Sequence, residues 1–355
     1  MDITLNPITI KNFKIGSGFE PFIVAEAGLN HNGEIQKAFE MIKVVKEAGV
    51  NAIKFQTFKA SEFIADPTLT YTYLSRGKKI TEPQLDLFKR CEFSREDWFK
   101  IKKKCDKEKI MFLSTPENRS DLDLLLEIGI PAIKVGSDEL INLPLLKDYA
   151  STGLPIILSS GMANLDEIHD ALKTVGALDG YPTILLVTTS EYPTAFEDVN
   201  LRKFETLSKT FPNIPLGFSD HTQGFLASSL ACAFGACFFE KHFTLSHDLE
   251  GPDHWFSEDP IGLKNWVNSI KTAYAMLGSN EVKPTAKELE LRKSARRSII
   301  ALCDIEKGEK FNQNNIGLRR PGNGLPPKLI DQIYGLNATR KIPKGAIIKF
   351  SDFEN

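Results

Sequence analysis

The chain has 355 residues, of which 42% are hydrophobic and 25% charged, with 44 basic residues against 46 acidic ones and a formal net charge of -2. That balance is a globular protein's. It supplies no global field toward nucleic acid or an anionic membrane, so any anion must be held by a local constellation of side chains.

The stretch from Met1 to Gly16 is polar and mixed, with no basic stub followed by an apolar run. No segment is apolar enough for long enough to span a bilayer, and the expectation is a cytoplasmic protein. The first apolar run, Phe22 to Ala27, is followed from Ala38 to Ala48 by Phe39, Ile42, Val45 and Ala48 at the spacing of one helix face, ended by Gly49. Further β-branched or apolar runs follow at Ala52 to Gln56, Ile110 to Thr115, Ala132 to Ser137, Pro155 to Ser159, Thr183 to Val187, Ile214 to Ser219 and Cys237 to His242. Amphipathic or apolar segments such as Leu122 to Ile128, Asp166 to Val175 and Phe225 to Phe234 lie between them.

Runs buried on both faces and separated by helices predict parallel strands. Eight such units in about 250 residues predict a (β/α)8 TIM barrel. An open doubly wound sheet would usually carry a glycine-rich phosphate loop after its first strand, and none stands there. Lys59 to Phe99 is too long for a plain crossover and reads as an extended loop with an extra helix over the barrel mouth.

Beyond Leu277 the pattern changes. The expected boundaries are 1–280 for the barrel, 281–297 for a linker and 298–355 for a small β-rich module. Asp304 to Glu309 and Arg340 to Ala346 look like two copies of one hairpin, and so small a module is expected to have little core of its own. Cys91, Cys105, Cys232, Cys237 and Cys303 are odd in number and lack CxxC spacing, which predicts free thiols rather than disulfides or a zinc cluster.

In a barrel of this kind chemistry sits at the carboxyl ends of the strands. Here those ends carry Glu26, Asn30 and His31, then Lys54 and Gln56, then Ser114 and Thr115, then Lys134, Ser137 and Glu139. The later ones carry Ser159 and Ser160, Ser190 and Tyr192, Ser219, Asp220 and His221, and finally Glu240, Lys241 and His242. A lysine inside an apolar strand is costly without a counter-charge. For Lys54 and Lys134 the alternatives are an ion pair with Glu26 or Glu139, or a shared phosphate or carboxylate ligand; the surrounding hydroxyls favour the ligand. His221 and His242 end adjacent strands, a placement that suits a divalent metal, with Glu139 as an acidic helper. Asp253, in Gly251-Pro252-Asp253-His254, either follows a structural turn or accepts sugar hydroxyls at the mouth. Arg319 to Gly324 is a basic tip, read either as a solvated loop or as a cationic finger.

Taken in order, these residues resemble the sialic acid synthase family, with its legionaminic and pseudaminic relatives. The motifs are Glu26-Ala27-Gly28-Leu29-Asn30-His31-Asn32-Gly33, Lys54-Phe55-Gln56-Thr57, Ser114-Thr115-Pro116, Lys134-Val135-Gly136-Ser137-Asp138-Glu139 and Ser159-Ser160-Gly161-Met162. They continue with Tyr192-Pro193-Thr194, Gly217-Phe218-Ser219-Asp220-His221-Thr222 and Glu240-Lys241-His242-Phe243-Thr244, and end with Arg320-Pro321-Gly322-Asn323-Gly324 in an antifreeze-like (SAF, β-clip) module.

The resemblance implies a synthase that joins phosphoenolpyruvate to an N-acyl amino sugar, N-acetylmannosamine or 2,4-diacetamido-2,4,6-trideoxymannose. It implies that Lys54, Thr115, Lys134, Ser137, Ser159 and Ser219 hold phosphoenolpyruvate, and that His221 and His242 bind Mn2+, with Mg2+ or Co2+ as substitutes. Glu26, Gln56, Tyr192, Asp253 and Arg320 would orient the acceptor, Arg320 acting in trans within a domain-swapped homodimer. Ser190 stands where some members carry asparagine or threonine. Glu26 or Glu139 would take the proton of an attacking water, and Lys54 and Lys134 would stabilise phosphate charge. Rival readings are a pseudaminic acid synthase, a Schiff-base aldolase on Lys54, Lys134 or Lys241, and a sugar- or ice-binding protein.

Overall fold

The structure, a computed structural model, describes residues 7–354; the first six residues of the expected barrel unit and the last of the expected terminal module lie outside it. Eight strands run in chain order as β1 (Phe22–Gly28), β2 (Ala52–Thr57), β3 (Met111–Pro116), β4 (Ile133–Val135), β5 (Ile156–Ser159), β6 (Thr183–Thr188), β7 (Leu216–Asp220) and β8 (Phe238–His242). They pair in parallel in the order β3-β2-β1-β8-β7-β6-β5-β4, and the two end strands lie side by side, so the sheet curls into a TIM barrel. Each strand coincides with an apolar run read from the sequence, its ends shifted by no more than two residues.

The helices after the strands are α1 (Ile35–Ala48), α2 (Arg95–Glu108), α3 (Arg119–Ile128), α4 (Leu143–Ser151), α5 (Leu165–Thr174), α6 (Lys203–Thr210), α7 (Leu226–Ala233) and α8 (Pro260–Leu277). Local chemistry sets several ends. Gly49 closes α1 in the left-handed region, and Asn164 with Glu167 forms a capping box at the start of α5.

The period of two along each strand divides the core into two clusters. Ile23, Ile53, Phe112 and Leu158 face outward and pack with the helices. Val24, Ala52, Leu113, Ile157, Leu186 and Phe238 fill the barrel interior. Gly217 belongs to this crowded lumen: a Cβ there would lie 2.5 Å from Leu186 Cδ2 and 2.7 Å from the Phe238 carbonyl oxygen. The interior cluster also takes Ile10 and Ile15 from an N-terminal hairpin, Ile8–Ile10 with Phe13–Ile15. That hairpin packs with the interior residues near the strands' amino ends, Phe13 meeting Phe22 edge-on at 5.2 Å. The sequence reading of Met1 to Gly16 as merely polar missed it, because its strands have only three residues each.

The insertion between β2 and α2 holds a short helix Ala60–Phe63, an antiparallel hairpin Thr70–Ser75 with Lys78–Pro83, and the helix Gln84–Cys91. The extra helix was expected; the hairpin was not. Leu29, just beyond β1, packs with Phe58, Leu87 and Cys91 and so ties the insertion to the carboxyl rim of the barrel.

Residues 279–355 form a second compact unit. Its stretch read as a linker contains the capped helix Ala286–Ala295. The rest is short antiparallel pairing, Ser298–Ala301 with Ile316–Arg319 and Asn337–Ala338 with Phe353–Glu354. The two hairpin copies meet through reciprocal backbone hydrogen bonds of 2.9 Å between Ile305 and Ile342. The unit has its own core, including Ile299, Ile305, Phe311, Ile316, Ile342 and Ile348, contrary to the expectation of little core. No helix among the described residues is long and apolar enough to cross a membrane.

Candidate active site

The alternation that buries Val24, Ala52, Leu113 and Phe238 inside the barrel places Glu26, Lys54, Thr115 and Glu240 on the same face two residues further on. Gln56 and His242 lie two residues beyond Lys54 and Glu240. With Lys134, Ser137, Ser159, Ser190, Tyr192, Ser219 and His221 these side chains line one cavity of about 280 Å3.

The two lysines are both buried. Strand register sets Glu26 beside Lys54, and Lys54 Nζ lies 2.7 Å from Glu26 Oε2 while donating to Thr115 Oγ1 at 3.2 Å. Lys134 Nζ donates to Ser159 Oγ at 2.8 Å and to the Val135 carbonyl at 3.2 Å. Between them stands Glu240, its Oε1 3.7 Å from Lys54 Nζ and 3.6 Å from Lys134 Nζ. Lys54 therefore has the Glu26 ion pair that the sequence reading placed second, and Lys134 pairs with a carboxylate that reading did not single out.

Burial works against the Lys54 ammonium, but Glu240 and Glu26 hold its pKa above the ordinary value. Lys134 goes the other way: burial and the like charge of Lys54 outweigh Glu240 and lower it. Glu26 is pushed up to about 7 by burial, against the pull of Lys54 and with the help of Glu240.

Hydroxyls complete this half of the cavity. Ser137 Oγ accepts from the Gly161 amide at 3.1 Å, and Ser190 Oγ is buried without a hydrogen-bond partner. A Cβ on Gly161 would sit 2.2 Å from Ser190 Oγ and 2.6 Å from Ser137 Oγ, so only glycine admits both. Two ammonium groups, paired with Glu26 and Glu240 and set amid unpaired or weakly paired hydroxyls, have the donors that a small di- or trianion needs.

His221 and His242 follow and end neighbouring strands, with ring centroids 5.4 Å apart. Taking His221 Nδ1–H as the donor to the Thr189 carbonyl, 2.8 Å away, turns its Nε2 lone pair toward Ser219 Oγ at 3.5 Å. His242 Nδ1 is buried with no hydrogen-bond partner and lies 3.7 Å from Asp253 Oδ2. Tyr192 packs over both rings, 4.3 Å from His221 and 5.7 Å from His242. Burial pushes His221 down to about 4 and His242 well below the ordinary value, so both present neutral imidazoles at neutral pH. Gly28 leaves the space beside them open, since a Cβ would come within 3.1 Å of Asp253 Oδ2 and 3.2 Å of His242 Nδ1. Free imidazole lone pairs with a nearby carboxylate fit a borderline divalent cation.

A second cavity of about 330 Å3 adjoins the first, sharing Gln56, Glu117, Asp138, Tyr192 and His242. It continues to Asp253, whose pKa burial raises to about 6, and to the insertion helix. The structure places the Asp253 carboxylate on the wall of this cavity. Trp255 lines not this cavity but a neighbouring groove that shares Tyr71, Tyr192 and Pro252 with it.

Two sequence-family models match most of the chain. A model described as the NeuB family matches residues 41–282, and one described as the SAF domain matches residues 296–354. The chain belongs to the NeuB family. Among relatives, it is 39% identical over 344 residues to N,N'-diacetyllegionaminic acid synthase of Legionella pneumophila, covering 96% of both chains. It is 34% identical over 338 residues to pseudaminic acid synthase of Helicobacter pylori, covering 94% of this chain and 98% of the relative. The crystal structure of N-acetylneuraminic acid synthetase from Leptospira borgpetersenii superposes with a TM-score of 0.73 at 34% identity, over 81% of this chain and 95% of that one.

Three of the anticipated residues are not among the side chains that line these two cavities. Glu139 lines neither cavity; it accepts from Asn142 Nδ2 at 2.6 Å, and its carboxylate comes within 4.8 Å of those of Glu117 and Asp138 in a group that includes neither histidine. Arg320 belongs to the second unit and is exposed there, at the tip where the peptide before Pro321 is cis. Lys241 points out of the lumen, its Nζ 3.2 Å from Asp220 Oδ2, and so is not placed to act as a nucleophile in either cavity. The reading missed Glu117, with a buried and unpartnered Oε2, and named Glu240 at its strand end without giving it a role. For Glu240 the signal was present: it sits midway between Phe238 and His242, on the face that both share.

Proposed function

We propose that the chain condenses phosphoenolpyruvate with an N-acylated mannosamine-type sugar, N-acetylmannosamine or 2,4-diacetamido-2,4,6-trideoxymannose. The products are N-acetylneuraminate or N,N'-diacetyllegionaminate, with phosphate. The observation that carries this is the meeting of a two-lysine, multi-hydroxyl anion receptor with a neutral histidine pair in one cavity. The names of the relatives support the class of product.

Phosphoenolpyruvate binds through Lys54, Lys134, Thr115, Ser137, Ser159, Ser190 and Ser219, and its charge relieves the two ammonium groups. Gln56, Tyr192 and Asp253 orient the open-chain acceptor, with Arg320 supplied by the SAF unit of a second copy in a homodimer. The enol carbon attacks the aldehyde carbon: the double-bond electrons form the new C–C bond, and the aldehyde's own π pair passes to its oxygen, which takes a proton and becomes a hydroxyl. The phosphate-bearing carbon, now electron-poor, takes a water. Ionised Glu26, which lines the cavity where Glu139 does not, accepts the water's proton. The C–O bond to phosphate then breaks, the new hydroxyl gives its proton to the departing phosphate, and the carbon becomes the keto carbon of the product. Lys54 and Lys134 stay fixed on the phosphate throughout, a preorganised electrostatic contribution. His221 and His242 would hold a divalent metal, Mn2+ before Mg2+ or Co2+, which when bound supplies Lewis-acid polarisation of the acceptor carbonyl. The reaction needs no membrane or nucleic acid, and we place it in the cytoplasm.

The test is incubation of the full chain with phosphoenolpyruvate, Mn2+ and each candidate sugar, following phosphate release and product mass. Sugar-dependent release with the mass of a nine-carbon acid is expected. Release of no phosphate with any acceptor refutes the proposal, and a borohydride-trapped lysine adduct would favour the aldolase instead.

A further inference from the structure

We infer that the far end of the second cavity selects an acceptor ending in a methyl group rather than a hydroxymethyl group, and that Leu87 and Phe88 are the residues that read it. This rests on the condensation proposed above. New carbon–carbon bond formation must occur where the two cavities meet, at the side chains they share. The acceptor's opposite end therefore projects into the part of the second cavity that the first does not share. That part is lined by Leu29, Phe63, Leu87, Phe88 and Pro252, with Gln84, Asp253 and the Tyr71 hydroxyl as its polar side-chain groups.

The wall is built rather than incidental. Leu87 is 1% exposed and Leu29 5% exposed, both within the cluster that ties the insertion to the barrel rim. The Phe88 ring is gripped edge-on by Phe58 and by Phe63, each at 5.1 Å. A hydroxyl laid against Leu87 and Phe88 would give up its bonds to water and receive none from them in return, whereas a methyl gains contact. A pocket holding a methyl in place of a hydroxymethyl discriminates on the order of 10- to 100-fold in kcat/KM. Gln84 and Asp253 remain as partners for an acyl-amide N–H on the same end, which a hydroxymethyl group does not need.

N-acetylmannosamine and its 6-deoxy analogue differ only in that terminal hydroxyl, so they isolate the effect. The full chain, with phosphoenolpyruvate and Mn2+, is expected to turn over the 6-deoxy sugar with a kcat/KM at least tenfold the higher. Leu87→Gln and Phe88→Tyr each place a polar atom on the wall, and each is expected to shrink that preference severalfold while leaving KM for phosphoenolpyruvate unchanged. The half-buried Phe88 tolerates the added hydroxyl if Leu87→Gln fails to fold. Equal kcat/KM for the two sugars, or a preference unmoved in Phe88→Tyr, overturns the inference but leaves the condensation standing. Failure to turn over either sugar or the 4-acetamido acceptor overturns both.

Discussion

Glu240→Gln is the most informative single change, because it removes a charge while keeping a shape. The carboxylate holds two buried ammonium groups at 3.6 and 3.7 Å. At an effective dielectric of about 20, each attraction is worth roughly 4–5 kcal/mol before desolvation is counted. Lys54 retains Glu26 at 2.7 Å, but Lys134 keeps only the Ser159 hydroxyl and the Val135 carbonyl. Stranding one member of a buried pair costs about 3–5 kcal/mol. Because Lys134 is already lowered by burial, it can shed its proton in the variant, and the cost should fall at about 3 kcal/mol.

Urea unfolding followed by tryptophan fluorescence reports on the barrel, since Trp98, Trp255 and Trp266 all lie there. Inorganic phosphate at about 100 times its Kd should return roughly 2.7 kcal/mol by mass action, and the variant should bind it more tightly for want of the repelling carboxylate. The gap between wild type and variant should also depend on pH. Burial alone would raise Glu240, but Lys134 and Lys54 hold it below the ordinary carboxylate value. Its contribution is therefore full above the unfolded carboxylate range and is lost as pH falls through the lower folded value. A Glu240→Gln protein as stable as wild type at neutral pH without phosphate would refute this account of the lysine pair.

Other outcomes follow from the same geometry. Lys134→Met leaves Glu240 paired with Lys54 and should cut kcat/KM for phosphoenolpyruvate by about 100- to 1,000-fold with little change in acceptor KM, measurable by steady-state phosphate release. Gly28→Ala puts a Cβ at φ +48 and 3.2 Å from His242 Nδ1, so calorimetric titration should show weakened Mn2+ binding, and denaturant titration a loss of about 1–2 kcal/mol. Ile10→Ala empties part of the barrel base and should cost about 2–5 kcal/mol in denaturant titration, with activity per folded molecule unchanged.

The barrel was legible because buried parallel strands are continuous apolar runs, and eight of them alternate with helical segments. The lysines, hydroxyls and histidines were legible because strand period and strand end together fix where a side chain points. The roles of two carboxylates depended on contacts distant in sequence. Glu240 matters only once β8 closes against β7 and β1 and brings it between lysines from β2 and β4. Glu117 looks like an ordinary loop carboxylate until Asp138 and Glu139 are folded next to it. Glu139 was over-read for the converse reason: it follows a strand end closely but turns toward Asn142. The N-terminal hairpin and the core of the second unit use strands too short to show a period.

The central claim is that the lysine receptor and the histidine pair serve one shared cavity. Phosphorus-31 spectra of bound phosphoenolpyruvate test it directly. Adding Mn2+ to the wild-type complex should broaden the bound resonance severely, and His221→Ala should leave it sharp at the same Mn2+ concentration. A resonance that stays sharp while wild type demonstrably holds both ligands would place metal and phosphate apart and contradict the account.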